Sequence, residues 1–175
     1  FNPVRHLHLL ELIPTADTLP DVVLRIRDFA ERMLGKGVIL ARDVPGFIAN
    51  RLGLHGLFRT IRLMEEFGLT IDEVDALTGP FLGRPKSATF RTADISGLDV
   101  LLDVSQGLST TTGEDFSLPS WIHDLVRQGR LGAKTGAGFY RKEGSQILTL
   151  DWRTGEYRPQ SVTALSQPRS RTSRS

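Results

Sequence analysis

The stretch Asp43-Val-Pro-Gly-Phe-Ile-Ala-Asn-Arg51 decides how the chain is read. It predicts the start of a long helix that runs from Pro45 to about Phe67 and stops at Gly68. Asp43 is placed to cap the first free backbone N–H groups. Pro45 suits a first turn, because the N–H it lacks is not needed there. Beyond it Phe47, Leu54, Leu57, Phe58, Ile61 and Met64 recur at the spacing of one helical face. Asn50 falls on that same stripe. A carboxamide facing apolar neighbours costs free energy unless it finds hydrogen-bond partners. Two readings stay open: Asn50 braces a buried backbone turn, or it faces a ligand. Ile48 and Leu52 lie off the main stripe, so the helix is expected to pack on several neighbours, a partner chain among them.

Upstream, Leu7 to Ile13 reads as a short apolar strand ending at Pro14, with Glu11 embedded in it. Thr15 to Thr18 opens a helix with Pro20 in its first turn. Leu24, Ile26, Phe29, Ala30 and Met33 form its apolar face, and Gly35 and Gly37 end it. Val38 to Leu40 is a short strand or an extended link. Downstream, Thr70 with Glu73 predicts a capping box on a helix to about Leu77, stopped by Gly79-Pro80. A further helix is expected from Ser87 to Ile95, then a break at Asp94 to Asp99, then a helix to Gln106. Ser109-Thr-Thr-Thr-Gly113 reads as a polar loop. Leu118 to Arg127 reads as a helix with Trp121, Ile122, Leu125 and Val126 inward. Gly132, Gly136 and Gly138 then punctuate a loop ending in Phe139-Tyr140. Ile147 to Leu150 reads as a strand, and Trp152 to Tyr157 as a hairpin turned at Thr154-Gly155. The Ser/Arg-rich residues 161–175 have the composition of a disordered tail.

The bulk numbers exclude several function classes. The 175 residues are 39% hydrophobic, enough for one core with an appendage. The formal charge is +2, yet Arg169, Arg171 and Arg174 supply three positive charges at one end, leaving the rest near −1. The chain therefore does not carry the basic surface of a nucleic-acid binder. With no cysteine there is no disulfide, no thiolate zinc site and no thiol nucleophile. That composition fits a cytoplasmic protein. No apolar run approaches the roughly 20 residues of a membrane span, and no signal peptide is recognisable.

Some constellations invite chemistry. Gly129-Arg-Leu-Gly-Ala-Lys-Thr-Gly-Ala-Gly-Phe-Tyr140 is glycine-rich, but its Lys134-Thr135 follows a helix and precedes Phe139-Tyr140. A phosphate loop needs that pair to run from a strand into a helix, so a tight turn is the simpler reading. There is no Gly-x-Gly-x-x-Gly between a strand and a helix, hence no encoded dinucleotide cradle. His6, His8, His55 and His123 make no metal-ligand pattern and read as surface or interface residues. Glu11 admits two readings: an edge residue turned to solvent, or a buried carboxylate that orients a basic partner.

Taken together these motifs resemble the 3-hydroxyacyl-CoA dehydrogenase family. Phe1-Asn2-Pro3 looks like the end of its His-Phe-Phe-Asn-Pro motif, and Glu11 matches its Glu in Leu-x-Glu-Ile/Val-Ile. Asp43 to Arg51 matches Asp-Thr-Pro-Gly-Phe-Ile-x-Asn-Arg. Gly97-Leu-Asp99 and Lys134-Thr-Gly-Ala-Gly-Phe-Tyr140 match two more motifs in the family's order. Ser87-Ala-Thr-Phe90 departs from the Met-Gly-Pro-Phe common in simple members, which bears on the acyl pocket.

The resemblance implies a mainly helical C-terminal domain of the 3-hydroxyacyl-CoA/6-phosphogluconate dehydrogenase type. It would span residues 43–141, behind residues 1–42 as the end of a Rossmann domain with a connecting helix and strand. Residues 142–160 would form a small β-hairpin extension like that of multifunctional β-oxidation enzymes. It further implies NAD-dependent oxidation of a 3-hydroxyacyl-CoA to a 3-oxoacyl-CoA in fatty-acid oxidation. Glu11 would be the carboxylate orienting the catalytic His, and Asn2 and Asn50 the amides at the substrate. Acyl-CoA is the implied substrate, NAD the cofactor of the parent enzyme, and a homodimer the implied assembly. The motif's His, its Ser and the NAD-binding half do not occur in these 175 residues. By itself the chain is therefore expected to be inactive and to bind no NAD. Two alternatives remain: a noncatalytic helical dimerisation or acyl-CoA-binding module, and a related dehydrogenase acting on a smaller hydroxy acid.

Overall fold

The computed structural model describes residues 4–161. Asn2 and the tail beyond Ser161 lie outside the described residues. The chain opens with β1 (Leu9–Leu12), α1 (Pro20–Arg32) and β2 (Gly37–Leu40). β1 and β2 pair in parallel, with Glu11 opposite Ile39, so Val38 to Leu40 is a strand and not a mere link. α1 connects them, since parallel strands need a long crossover. Its apolar face is largely uncovered: Ala30 is buried, but Leu24, Ile26, Phe29 and Met33 are exposed.

The helical body follows: α2 (Ala49–Glu66), α3 (Ile71–Thr78), α4 (Phe90–Ser96), α5 (Leu98–Thr112) and α6 (Ser120–Arg127). Its core is the stripe foreseen on α2, with Leu54, Leu57, Phe58, Ile61 and Met64 all buried. Ile71 and Val74, Phe90, Leu98, Leu108, Ile122 and Leu125 pack against that stripe from the other four helices. The chain ends in an antiparallel sheet of β3 (Tyr140–Glu143), β4 (Gln146–Leu150) and β5 (Tyr157–Pro159). Where the sequence suggests a loop, a strand and a hairpin turned at Gly155, three strands form one sheet. Trp152 lies in the turn, and its indole N–H donates to the Leu69 carbonyl at 3.0 Å. Phe139, fully buried, meets Phe90 edge-on at a centroid distance of 4.9 Å and so fixes the sheet to the body.

Helix boundaries differ from expectation at three places, each with a local cause. α2 begins at Ala49 and not Pro45, and Asp43 does not cap it. Gly46 (φ +74°) and Phe47 (φ +43°) turn the chain left-handed, and that cannot continue into a right-handed helix. Gly46 suits that place because its φ is +74°, and a Cβ on it would also sit 2.9 Å from Leu108 Cδ2. α4 begins at Phe90 and not Ser87, after Ala88 takes φ +48°. α5 continues through Thr112, absorbing most of the stretch expected to be a polar loop. Thr110, Thr111 and Thr112 each donate a hydroxyl to the carbonyl four residues back, which keeps polar residues compatible with the last turn. The capping box at Thr70 and Glu73 forms as expected.

Candidate functional site

β1 and the first turn of α2 enclose a cleft of about 270 Å³, lined by Glu11, Asn50, Phe47 and Lys36 with Val4 and Leu7. Two of these, Glu11 and Asn50, are site residues expected from the sequence, and the fold brings them to one cavity from positions 39 apart in the chain. The third, Asn2, lies outside the described residues.

Glu11 is partly buried, and its Oε1 accepts the backbone N–H groups of Ile48 (3.1 Å) and Ala49 (2.6 Å). Those are two of the free donors at the start of α2, where the helix dipole also favours a negative charge. This anchoring role is additional to the base-orienting reading of Glu11 from the sequence. The residue is not turned to solvent, and no described histidine hydrogen-bonds to it. Its Oε1 thus anchors the helix, while its Oε2 accepts no hydrogen bond from the described residues. Asn50 belongs to the turn so anchored. It is exposed and makes no hydrogen bond among the described residues. No bond of the turn-bracing reading is present among the described residues. The apolar stripe of α2 starts at Leu54, one turn further on.

Phe47 stands between these two residues in the chain fold with a positive φ, unusual for a residue that has a side chain. Such conformations cost about 1–3 kcal/mol and persist where the surroundings impose them. Here the imposing elements are the Glu11 anchor on one side and the tight Gly46–Leu108 approach on the other.

The remaining motifs serve architecture. In the glycine-rich loop, a Cβ on Gly138 would lie 2.2 Å from Asp94 Oδ1, and one on Gly132 2.3 Å from the Asp94 carbonyl. Asp94 in turn accepts the backbone N–H groups of Phe139 (2.8 Å) and Tyr140 (2.9 Å). The glycines are small so that the backbone and the carboxylate of Asp94 can be approached, which is unlike a cradle for phosphate. Lys134 places its ammonium 2.6 Å from both oxygens of Asp99, so the Gly-Leu-Asp and Lys-Thr-Gly segments clip each other. That ammonium holds Asp99 below the usual carboxylate range. Asp75 caps α4 by accepting Thr89, Phe90 and Arg91 N–H groups, and it also accepts the Tyr140 hydroxyl at 2.8 Å. Burial raises the pKa of both acids, Asp94 to about 6, although these bonds pull the other way. Burial also raises the Tyr140 hydroxyl, helped by the negative charge of Asp75. Asp72 behaves oppositely. Bonds from Thr70, Arg158 and Ser161 outweigh its burial and hold it at about 2.

Lys36 and Phe47 are cleft residues that the sequence does not announce. A lysine between two glycines reads as an ordinary turn, and a positive φ at phenylalanine has no sequence signature. The histidines among the described residues are all exposed. No cluster of acidic or imidazole groups there could hold a metal, and no described helix is long and apolar enough to cross a membrane.

Comparison with known proteins bears on this geometry. The family model described as "3-hydroxyacyl-CoA dehydrogenase, C-terminal domain" matches residues 46–142. The model described as "3-hydroxyacyl-CoA dehydrogenase, NAD binding domain" matches residues 1–44. A probable 3-hydroxyacyl-CoA dehydrogenase of Deinococcus radiodurans is 55% identical over 144 residues, 81% of this chain and 42% of that protein. One of Bacillus subtilis is 47% identical over 155 residues, 86% of this chain and 20% of that protein. The chain thus spans less than half the length of either relative. Among solved structures, (S)-3-hydroxybutyryl-CoA dehydrogenase from Ralstonia eutropha superposes with a TM-score of 0.71 at 28% identity, over 82% of this chain and 50% of that one.

Proposed function

The chain belongs to the 3-hydroxyacyl-CoA dehydrogenase family, and from that premise we propose that it forms one wall of the substrate site of an NAD-dependent enzyme oxidising 3-hydroxyacyl-CoA to 3-oxoacyl-CoA. The observation that carries this reading is the meeting of Glu11 and Asn50 in one cleft. In it, Asn50 offers an unengaged carboxamide to a thioester substrate. Glu11, with one oxygen spent on α2, keeps the other to orient a base. Asn2 is proposed as the second substrate amide. A place in fatty-acid oxidation and a cytoplasmic setting complete the proposal.

The described residues do not fit a dinucleotide. The β1–α1 connection, Ile13 to Leu19, has no glycine, and α1 starts with Pro20 and Asp21. A diphosphate there would meet a carboxylate where it needs backbone N–H groups. No step through NAD is therefore assigned to these residues, and the 175-residue chain alone is proposed not to reduce NAD. The same observation favours a second description of the isolated chain, as an acyl-CoA-binding module. We also propose that a second copy covers part of α2, where Leu52 is 68% exposed. A strictly monomeric mass by light scattering at high concentration would remove that part.

Calorimetric titration with acetoacetyl-CoA tests the cleft. Asn50→Ala is expected to weaken binding about tenfold while stability stays within about 0.5 kcal/mol, as for an exposed side chain. In the full product of the gene, the same substitution should lower kcat/KM for NAD reduction by 3-hydroxybutyryl-CoA. Unchanged binding and unchanged kcat/KM would discard the assignment.

A further inference from the structure

Lys36 lies in the turn between α1 and β2, yet its side chain serves the segment before β1. Its ammonium donates to the carbonyls of Val4 and Leu7, at 2.5 Å each. The turn that presents it is itself held. The Lys36 N–H donates to the Ala30 carbonyl at 3.0 Å and the Gly37 N–H to the His8 carbonyl at 2.8 Å. Gly35 supplies the left-handed residue that ends α1 (φ +62°). Val4 and Leu7 line the cleft together with Lys36, Glu11 and Asn50. Residues 4–7 precede the strand ladder, so the carbonyls of Val4 and Leu7 are not paired by regular structure. Two carbonyl oxygens converging on one point suit a cation, and an uncharged side chain of the same length could not satisfy both.

We propose that Lys36 is a positioning residue of the cleft: it clamps the Val4–Leu7 segment through two carbonyls and so sets the wall that faces Asn50. This rests on the cleft being the substrate site. The lysine acts through the segment, because two of its three donors are directed at the protein's own carbonyls. Glu11 and Lys36 then divide the work. The carboxylate fixes α2 to β1, and the ammonium fixes the chain leading into β1 to the start of β2.

The test uses Lys36→Met, Lys36→Arg and, as a control, Lys134→Met, which breaks an ion pair remote from the cleft. Backbone hydrogen exchange and titration with acetoacetyl-CoA are measured on each. In Lys36→Met the amides of His8, Leu9 and Gly37 are expected to exchange about tenfold faster or more, with Ile61 and Met64 unchanged. Affinity for acetoacetyl-CoA should fall about tenfold, Lys36→Arg should recover it to within about threefold, and Lys134→Met should leave it alone. Unaltered exchange in Lys36→Met overturns the clamp. An arginine variant that restores slow exchange but not affinity overturns the positioning role, since the lysine would then touch the ligand. Equal loss of affinity in Lys134→Met overturns it too, as a global effect. If the wild-type chain binds no acetoacetyl-CoA, the substrate reading fails, while the exchange measurement still decides whether Lys36 clamps the segment.

Discussion

Glu11 accepts the backbone N–H of Ala49 at 2.6 Å across 38 residues of chain. One carboxylate oxygen thus joins the parallel strand pair to the helical body. It replaces the local cap that Asp43 would have supplied, and it does so at the wall of the cleft. Asp75 repeats the arrangement on α4, from 14 to 16 residues away.

Glu11→Ala removes the acceptor and leaves two donors at the start of α2 unpaired. The expected loss is about 2 kcal/mol in urea unfolding, in the range of cap removals. Glu11→Gln keeps an acceptor oxygen but not the charge and should lose about half as much. Equal stability of all three proteins would mean that α2 does not depend on this contact.

Asp94 should make stability depend on pH between about 4 and 6. Burial holds its pKa at about 6, against an ordinary 3.8. Between these values the folded chain binds more protons than the unfolded one. Stability from this group therefore falls as pH rises from about 4 to about 6, by on the order of 2 kcal/mol. Asp75, also raised by burial, adds in the same direction. Asp72 acts at lower pH with the opposite sign. Its stabilisation is complete above 3.8 and is lost as pH falls towards about 2. Asp94→Asn should flatten the slope between pH 4 and 6 in unfolding curves taken at half-unit intervals. A slope as steep as that of the wild type would refute the assignment.

Gly138→Ala and Gly136→Ala separate two reasons for glycine in one loop. At Gly138 the added Cβ would lie 2.2 Å from Asp94 Oδ1 and 2.6 Å from Gly132 Cα, neither of which is free to move. A loss of about 3 kcal/mol or more is expected. At Gly136 the space is open and φ is +74°, so the cost is the left-handed penalty of about 1 kcal/mol. Thermal unfolding of the two variants should rank them in that order, and the reverse order would contradict the close approach to Asp94.

Tyr140→Phe removes the hydroxyl that donates to Asp75 Oδ2. The single substitution should cost about 1–2 kcal/mol, since the bond is partly buried and its acceptor is a carboxylate. In a double-mutant cycle with Asp75→Asn, the coupling should be about 1 kcal/mol or larger. Strictly additive losses would show that the two side chains do not communicate.

How far the sequence discloses this arrangement depends on the range of the interactions. Periodicity reports what lies within one helix, and the α2 stripe from Leu54 to Met64 is legible for that reason. The Thr70–Glu73 box is legible because both partners fall inside four residues. The true starts of α2 and α4 are hidden. Their caps, Glu11 and Asp75, come from other elements, while Asp43 and Ser87 offer attractive local substitutes. The threonine run of α5 misleads because hydroxyls that bond back to their own helix look polar in sequence. Of the candidate site, Glu11 and Asn50 stand out as polar residues in apolar stretches. Lys36 does not, since its partners are backbone carbonyls about 30 residues upstream that carry no side-chain signature.

The long reach of the Glu11 anchor also has a kinetic meaning. Closing a loop of 38 residues costs more chain entropy than closing the 14 to 16 that separate Asp75 from the start of α4. The α3–α4 corner that Asp75 closes can therefore organise through nearer contacts, while the β1–α2 junction waits for a more distant encounter. The same junction carries the left-handed Phe47, which gives it a reason to come apart. On this ordering the cleft assembles after the α3–α4 corner, and the left-handed Phe47 makes it the readier of the two to open. The proposed substrate cleft is then built on the later-forming of these two junctions.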